Sequence, residues 1–143
     1  MTQVALLKCT DKDEISEKIK QLAALLGGME RYVKPGDRVL IKPNVLCAQD
    51  ASGGATTSPR LVKAAADLCL EAGAKQVTVG ESSNWGIDSM ASMRACGYDK
   101  IADGKRIVLQ DFKKHPFLKK QIDGLVLQSI HVPQAVEEAD VVI

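Results

Sequence analysis

Aromatic side chains are almost missing from this chain: Phe, Tyr and Trp together make up 3% of its 143 residues, with a single Trp. That scarcity excludes a base-stacking surface of the kind that grips single-stranded nucleic acid. Charge of one sign is lacking as well, because the formal net charge is only +1. The overall balance therefore calls for no nucleic acid, no membrane and no strongly acidic partner. No apolar run approaches the roughly 20 residues that span a bilayer. The start, Met1-Thr2-Gln3-Val4, has no basic segment leading into an apolar one, so a secretory leader is not expected. Cysteine is sparse and scattered: Cys9, Cys47, Cys69 and Cys96 form no Cys-x-x-Cys pair. That spacing fits neither a disulfide framework nor a zinc or iron–sulfur motif. The expectation is free thiols in a reducing, cytoplasmic setting, with Cys69 packed in the core.

What is present is ordinary globular material. Apolar residues reach 45% and charged residues 26%, enough for one well-buried α/β domain over residues 1–143. Val4-Ala5-Leu6-Leu7 reads as a short buried strand, and Asp11-Lys12-Asp13 as a turn. Ile15, Ile19, Leu22 and Leu26 then recur at the helical period, and Gly27-Gly28 supplies a stop. Lys34-Pro35-Gly36-Asp37 is a turn signal before the strand Arg38 to Lys42. Ser58-Pro59 opens a helix with Leu61, Val62, Ala65, Leu68, Cys69 and Ala72 on its buried stripe, Ser58 as cap and Pro59 in the first position. Gly73 ends that helix, and Gln76-Val77-Thr78-Val79 forms the next strand. A short helix around Ser89 to Ala95, capped by Asp88, leads to a strand at Arg106 to Leu109.

Beyond that the pattern changes. The strand-like runs Phe117 to Ile122 and Leu125 to Val132 are separated only by Asp123-Gly124, a strong hairpin signal. A helical turn around Gln134 to Glu138 then reaches Asp140-Val141-Val142-Ile143. Alternating strands and helices predict a three-layer, Rossmann-like, mainly parallel sheet with an added β-hairpin. Because the sequence stops inside an apolar strand, an amino-terminal fragment of a longer protein is expected.

In such a sheet, ligands bind outside the carboxyl ends of the strands. Two connections leave from that edge, and the first, from Lys42 to Ser58, far exceeds the usual length of about 2–6 residues. Its residues suit an anion. Lys42 brings charge and Asn44 a donor; Gly53 and Gly54 permit close backbone approach. Thr56, Thr57 and Ser58 add hydroxyls ahead of a helix whose free amides favour negative charge. No Gly-x-Gly-x-x-Gly or phosphate-loop spacing is present. The plain alternative is a flexible loop before a capped helix, with Lys42 simply solvated. The second connection carries Glu81, Ser82, Ser83 and Trp85. Facing Lys42, Glu81 would serve as an acid or base, the one catalytic candidate, or would bind a cation. The alternative pairs Glu81 with a lysine and lays Trp85 over the core.

Other features weigh less. His115 and His131 share no ligand spacing and read as ordinary surface or strand residues, so no metal site is expected. Lys113, Lys114, Lys119 and Lys120 read as a solvated face.

Taken in order, Val39-Leu40-Ile41-Lys42-Pro43-Asn44, then Gly54-Ala55-Thr56-Thr57-Ser58-Pro59, then Glu71-Ala72-Gly73-Ala74-Lys75 and Val77-Thr78-Val79-Gly80-Glu81-Ser82 resemble domain of unknown function 362. The preceding Gly27-Gly28 and Lys34-Pro35-Gly36-Asp37 fit it too. The resemblance implies that the Lys42, Thr56-Thr57-Ser58 and Glu81-Ser82 segments are site components. It also implies further segments past the last strand, in many members including a ferredoxin-like iron–sulfur module. A 4Fe-4S cluster would then belong to the remainder of the protein, with no cofactor in this chain.

These readings leave three functions in competition. One is an enzyme, or part of one, acting on a small anionic molecule held by Lys42 and the start of the Ser58 helix. The second is a redox-associated module working with an iron–sulfur domain. The third is an interaction or scaffold domain that pairs through exposed strand edges.

Overall fold

A computed structural model describes residues 3–10 and 14–143. The turn expected at Asp11-Lys12-Asp13 lies outside the described residues. Helix α1 (Ile15–Leu25) closes where Gly27 takes φ +97°. The Gly27 amide donates to Ala24 O at 3.0 Å and the Gly28 amide to Ala23 O at 2.9 Å, a paired closure that a left-handed glycine permits. The next turn is fixed by Asp37, whose amide donates to Lys34 O at 3.1 Å and whose carboxylate accepts from the Lys34 amide at 2.7 Å. It delivers the chain into β1 (Arg38–Ile41), which is buried from Val39 onward.

Helix α2 (Pro59–Glu71) starts with proline in its first turn, as expected, and buries Val62, Ala66 and Cys69 along one face. Ser58 sits at the N-cap in extended geometry but makes no side-chain cap bond, which corrects its expected capping role. Gly73 ends the helix at φ +104°, and a Cβ there would stand 3.0 Å from the Pro35 Cα. Glycine is thus required both by the turn and by its close packing on Pro35. Next come β2 (Gln76–Glu81), α3 (Ser89–Ala95) and β3 (Ile107–Asp111). Asp88 caps α3 by accepting from the Ala91 amide at 2.9 Å. The chain continues through β4 (Phe117–Gln121), β5 (Ser129–Pro133), α4 (Gln134–Glu138) and β6 (Val141–Val142).

The main sheet has the order β3-β2-β1-β6 and every neighbouring pair is parallel; β4 and β5 form a separate antiparallel pair. The α/β, mainly parallel architecture with an added hairpin is therefore observed. Alternate residues of the strands face two clusters. Val39, Ile41, Val77 and Val79 pack with Val62, Ala66 and Met93 of α2 and α3, while Leu40 packs with Phe112 and Ala135 on the other face. Gly80 carries no side chain because a Cβ there would overlap the Phe112 ring.

Two further expectations fail. Residues 4–7 form no strand, and Val4 and Leu6 are almost fully exposed. A four-residue apolar run has no period that separates a core strand from an extended surface segment. The hairpin exists, but Gln121 pairs with Ser129, so residues 122–128 form the connection instead of Asp123-Gly124 alone. Leu125, Val126 and Leu127 consequently stand exposed at its tip.

Candidate functional site

The strand order places β1 between β2 and β6, so the chain leaves β1 toward one side of the sheet and returns on the other. In open α/β sheets, such a reversal at the carboxyl edge is the place where ligands bind. Three of the four strands run there into a charged residue, and the fourth, β6, ends in Val142. Lys42 follows β1, Glu81 ends β2 and Asp111 ends β3; Glu81 and Asp111 are register partners.

Glu81 is 4% exposed and its carboxylate is fully engaged. Oε2 accepts from Lys42 Nζ at 3.1 Å and from the Val45 amide at 3.1 Å, and Oε1 accepts from the Ser82 amide at 2.7 Å. One buried side chain thus fastens the end of β1, the start of the long loop and the end of β2. In this state Glu81 works as an anchor, and proton transfer would require it to exchange Lys42 for a ligand. The Lys42 side chain is half exposed and holds its ammonium over this anchor.

The long loop is a tied structure. Asn44 donates its amide to Thr57 Oγ1 at 3.0 Å and its side-chain nitrogen to Ala55 O at 2.6 Å; the Thr57 amide returns to Asn44 O at 2.9 Å. Val45 bridges Thr56 in antiparallel fashion. Ser83 Oγ donates to Val45 O at 2.6 Å, and Tyr98 OH donates to Thr57 O at 2.7 Å. Burial, first of all, pushes the Tyr98 hydroxyl well above its ordinary pKa, so it stays a donor. Thr56 is 6% exposed, and its hydroxyl has no hydrogen-bond partner. Lys42, Asn44, Thr57 and Glu81 therefore belong to one network, with Val45 as the link.

The remaining expected residues divide. Asn44, two residues after Lys42, and Ser82, next to Glu81, are exposed, whereas Thr56 and Ser83 are buried in the frame. Gly53 and Gly54 stand at the exposed tip, closing a 3₁₀ turn whose Asp50 cap accepts from the Ser52 amide at 2.8 Å. Ser58 lines an apolar groove of about 400 Å³ with Leu6, Ile15, Leu22 and Leu61.

Sequence reasoning missed Asp111, which is 3% exposed. The signal was available: an acidic residue stands two positions after the last apolar residue of the strand, as Glu81 does after Val79. Lys113, read as solvated, instead donates its ammonium to the carbonyls of Ser83 (3.1 Å), Asn84 (3.3 Å) and Ile87, pinning the second connection. Trp85 does not cover the core; it is 99% exposed. Both histidines are exposed, and among the described residues no three His, Cys, Asp or Glu are grouped for a metal ion. The four thiols are unpaired with one another, and burial raises that of Cys69 to about 11, the behaviour of a core residue.

No helix among the described residues is long and apolar enough to cross a membrane. No solved structure matches the chain. A thylakoid-associated protein of Synechocystis sp. is 44% identical over 68 residues, which cover 48% of this chain and 21% of that protein. The chain thus corresponds to about a fifth of that relative's length. Residues 39–143, from β1 through the site to the end of β6, match the family model Domain of unknown function (DUF362), and the chain belongs to that family.

Proposed function

We propose that the carboxyl edge around Lys42 binds a small anionic molecule, carrying phosphate or carboxylate, as part of an enzyme. The observation that carries this reading is Lys42: a half-exposed ammonium at the end of the central strand, held by a buried carboxylate that also fastens the loop. Asn44 and Ser82 are the exposed polar neighbours that would share the ligand. Glu81, Thr56, Thr57 and Ser83 hold the frame, and Gly54 has open space beside it at the loop tip, whereas the Gln49 side chain packs against Gly53. A ligand oxygen that takes the Lys42 ammonium leaves Glu81 Oε2 with the Val45 amide alone, and so with a lone pair open to accept a proton. Calorimetric titration with inorganic phosphate and with citrate tests the reading. Saturable heat that disappears in Lys42→Met supports it; equal heat in that variant contradicts it.

The exposed hairpin tip favours a second reading, in which this chain meets a lipid surface. Leu125, Val126 and Leu127 protrude from a hairpin that also carries Lys119 and Lys120, apolar and basic features that suit an anionic bilayer. The thylakoid association of the Synechocystis relative points the same way. Sedimentation with anionic vesicles, lost in Leu125→Asp, would support it; no sedimentation would exclude it.

A further inference from the structure

The carboxyl end of β3, the residues just after it and the turn between β2 and α3 border a shallow, open cleft of about 430 Å³, lined by Trp85, Asp88, Asp111, Lys113 and Lys114. Its hydrogen bonding is unbalanced. Asp111 is 3% exposed; its Oδ1 accepts from the Lys113 amide at 2.9 Å, but its Oδ2 has no hydrogen-bond partner. Lys114 Nζ stands 3.7 Å from that oxygen, close enough for attraction and too far for a hydrogen bond. The same ammonium is held by Asp88 at 2.8 Å. The Lys113 ammonium is already spent on three backbone carbonyls. A buried acceptor left without a donor is costly, and native proteins rarely leave one unexplained.

Charge is already matched, with Asp88 and Asp111 against Lys113 and Lys114. What the cleft lacks is a neutral donor. A ligand ammonium would meet Lys114, which already sits between the two carboxylates, and a ligand anion would meet Asp111. A hydroxyl meets neither objection: it donates to Asp111 Oδ2 and accepts from Lys114. Beside this pair Trp85 holds its indole in solvent at 99% exposure, an unusual place for so large an apolar ring. Its flat face suits the C–H face of a saturated ring.

The geometry points to a binding site for a neutral polyhydroxylated ring, a sugar or cyclic polyol, with Asp111 and Lys114 sharing one hydroxyl and Trp85 under the ring. This site stands apart from the anion reading of Lys42 and uses none of its donors.

Trp85 is the single tryptophan, so its fluorescence reports this cleft alone. Titration of the whole chain with D-glucose, D-ribose and myo-inositol is expected to give a saturable emission change for at least one of them. Ethanolamine, the cationic comparison, is expected to give none. Asp111→Asn, which turns the free acceptor into a donor, is expected to weaken polyol binding about tenfold or more with an unchanged circular dichroism spectrum. Should that variant not fold, Trp85→Ala at its exposed position serves instead, read by saturation-transfer NMR on the polyol protons, and is expected to lose binding. No saturable change with any of the three polyols, saturation by ethanolamine, or undiminished binding in the variant measured overturns the assignment.

Discussion

Lys42 and Glu81 are unequal partners, and the inequality sets the order of mutational costs. The Glu81 carboxylate is 4% exposed and satisfies two backbone amides besides Lys42, whose side chain is 52% exposed. Glu81→Ala strands the Val45 and Ser82 amides, and each buried unmade hydrogen bond costs about 1–3 kcal/mol. Lys42→Met leaves the buried carboxylate on its two backbone amides but without its cation, and is expected to cost less than the loss of the carboxylate itself. Urea denaturation is expected to rank Glu81→Ala as clearly the more destabilising; equal costs would show that the carboxylate is not an anchor. Glu81→Gln is expected to be intermediate, because its amide nitrogen must face one of the donors. Asp88 offers a second residue-scale check. The Lys114 ammonium first, and then the Ala91 amide, hold its carboxyl at about 2 against an ordinary 3.8. A depressed carboxylate contributes stability that is present above the ordinary value and is lost as pH falls through about 2. Carboxyl-carbon NMR is expected to place the Asp88 midpoint near 2, moving up toward 3.8 in Lys114→Ala.

Among the elements, the turn before β1 and the end of α2 stabilise one another through Gly73. Its positive φ and its contact with the Pro35 backbone make Gly73→Ala unfavourable twice over, by at least about 1 kcal/mol. Thermal unfolding of that variant is the check, and an unchanged midpoint would mean that the turn and helix end are not packed as described. Leu125→Asp, at a fully exposed tip, is expected to change stability by no more than about 0.5 kcal/mol. The helices and parallel strands between Arg38 and Asp111 were legible because their signals are local: the helical spacing of Val62 and Cys69, the glycine stops, the short apolar runs of β1 and β2. Ala66, fully buried, was left off the expected stripe, and Leu61, placed on it, is exposed. The hairpin turn was not, since pairing of Gln121 with Ser129 outweighed the local Asp123-Gly124 signal. Lys42 and Glu81 were legible as strand ends. The pinning role of Lys113 was not, because its ammonium meets carbonyls contributed by a turn far earlier in the chain.

For the molecule as a whole, the order β3-β2-β1-β6 concentrates charged side chains at one edge of an otherwise apolar sheet. Lys42, Glu81 and Asp111 lie there on successive strands, tied to two loops by buried hydrogen bonds. The opposite ends of the strands are occupied by the Asp37 turn and by Asp140, which accepts from the Arg38 amide at 2.8 Å. One edge therefore builds a site and the other closes the fold. The most direct test follows backbone amide resonances of the whole chain through a titration with inorganic phosphate. Anion binding at Lys42 predicts saturable shifts centred on Asn44, Val45 and Ser82, absent in Lys42→Met. Shifts that do not saturate, or that centre on residues away from this edge, would contradict it.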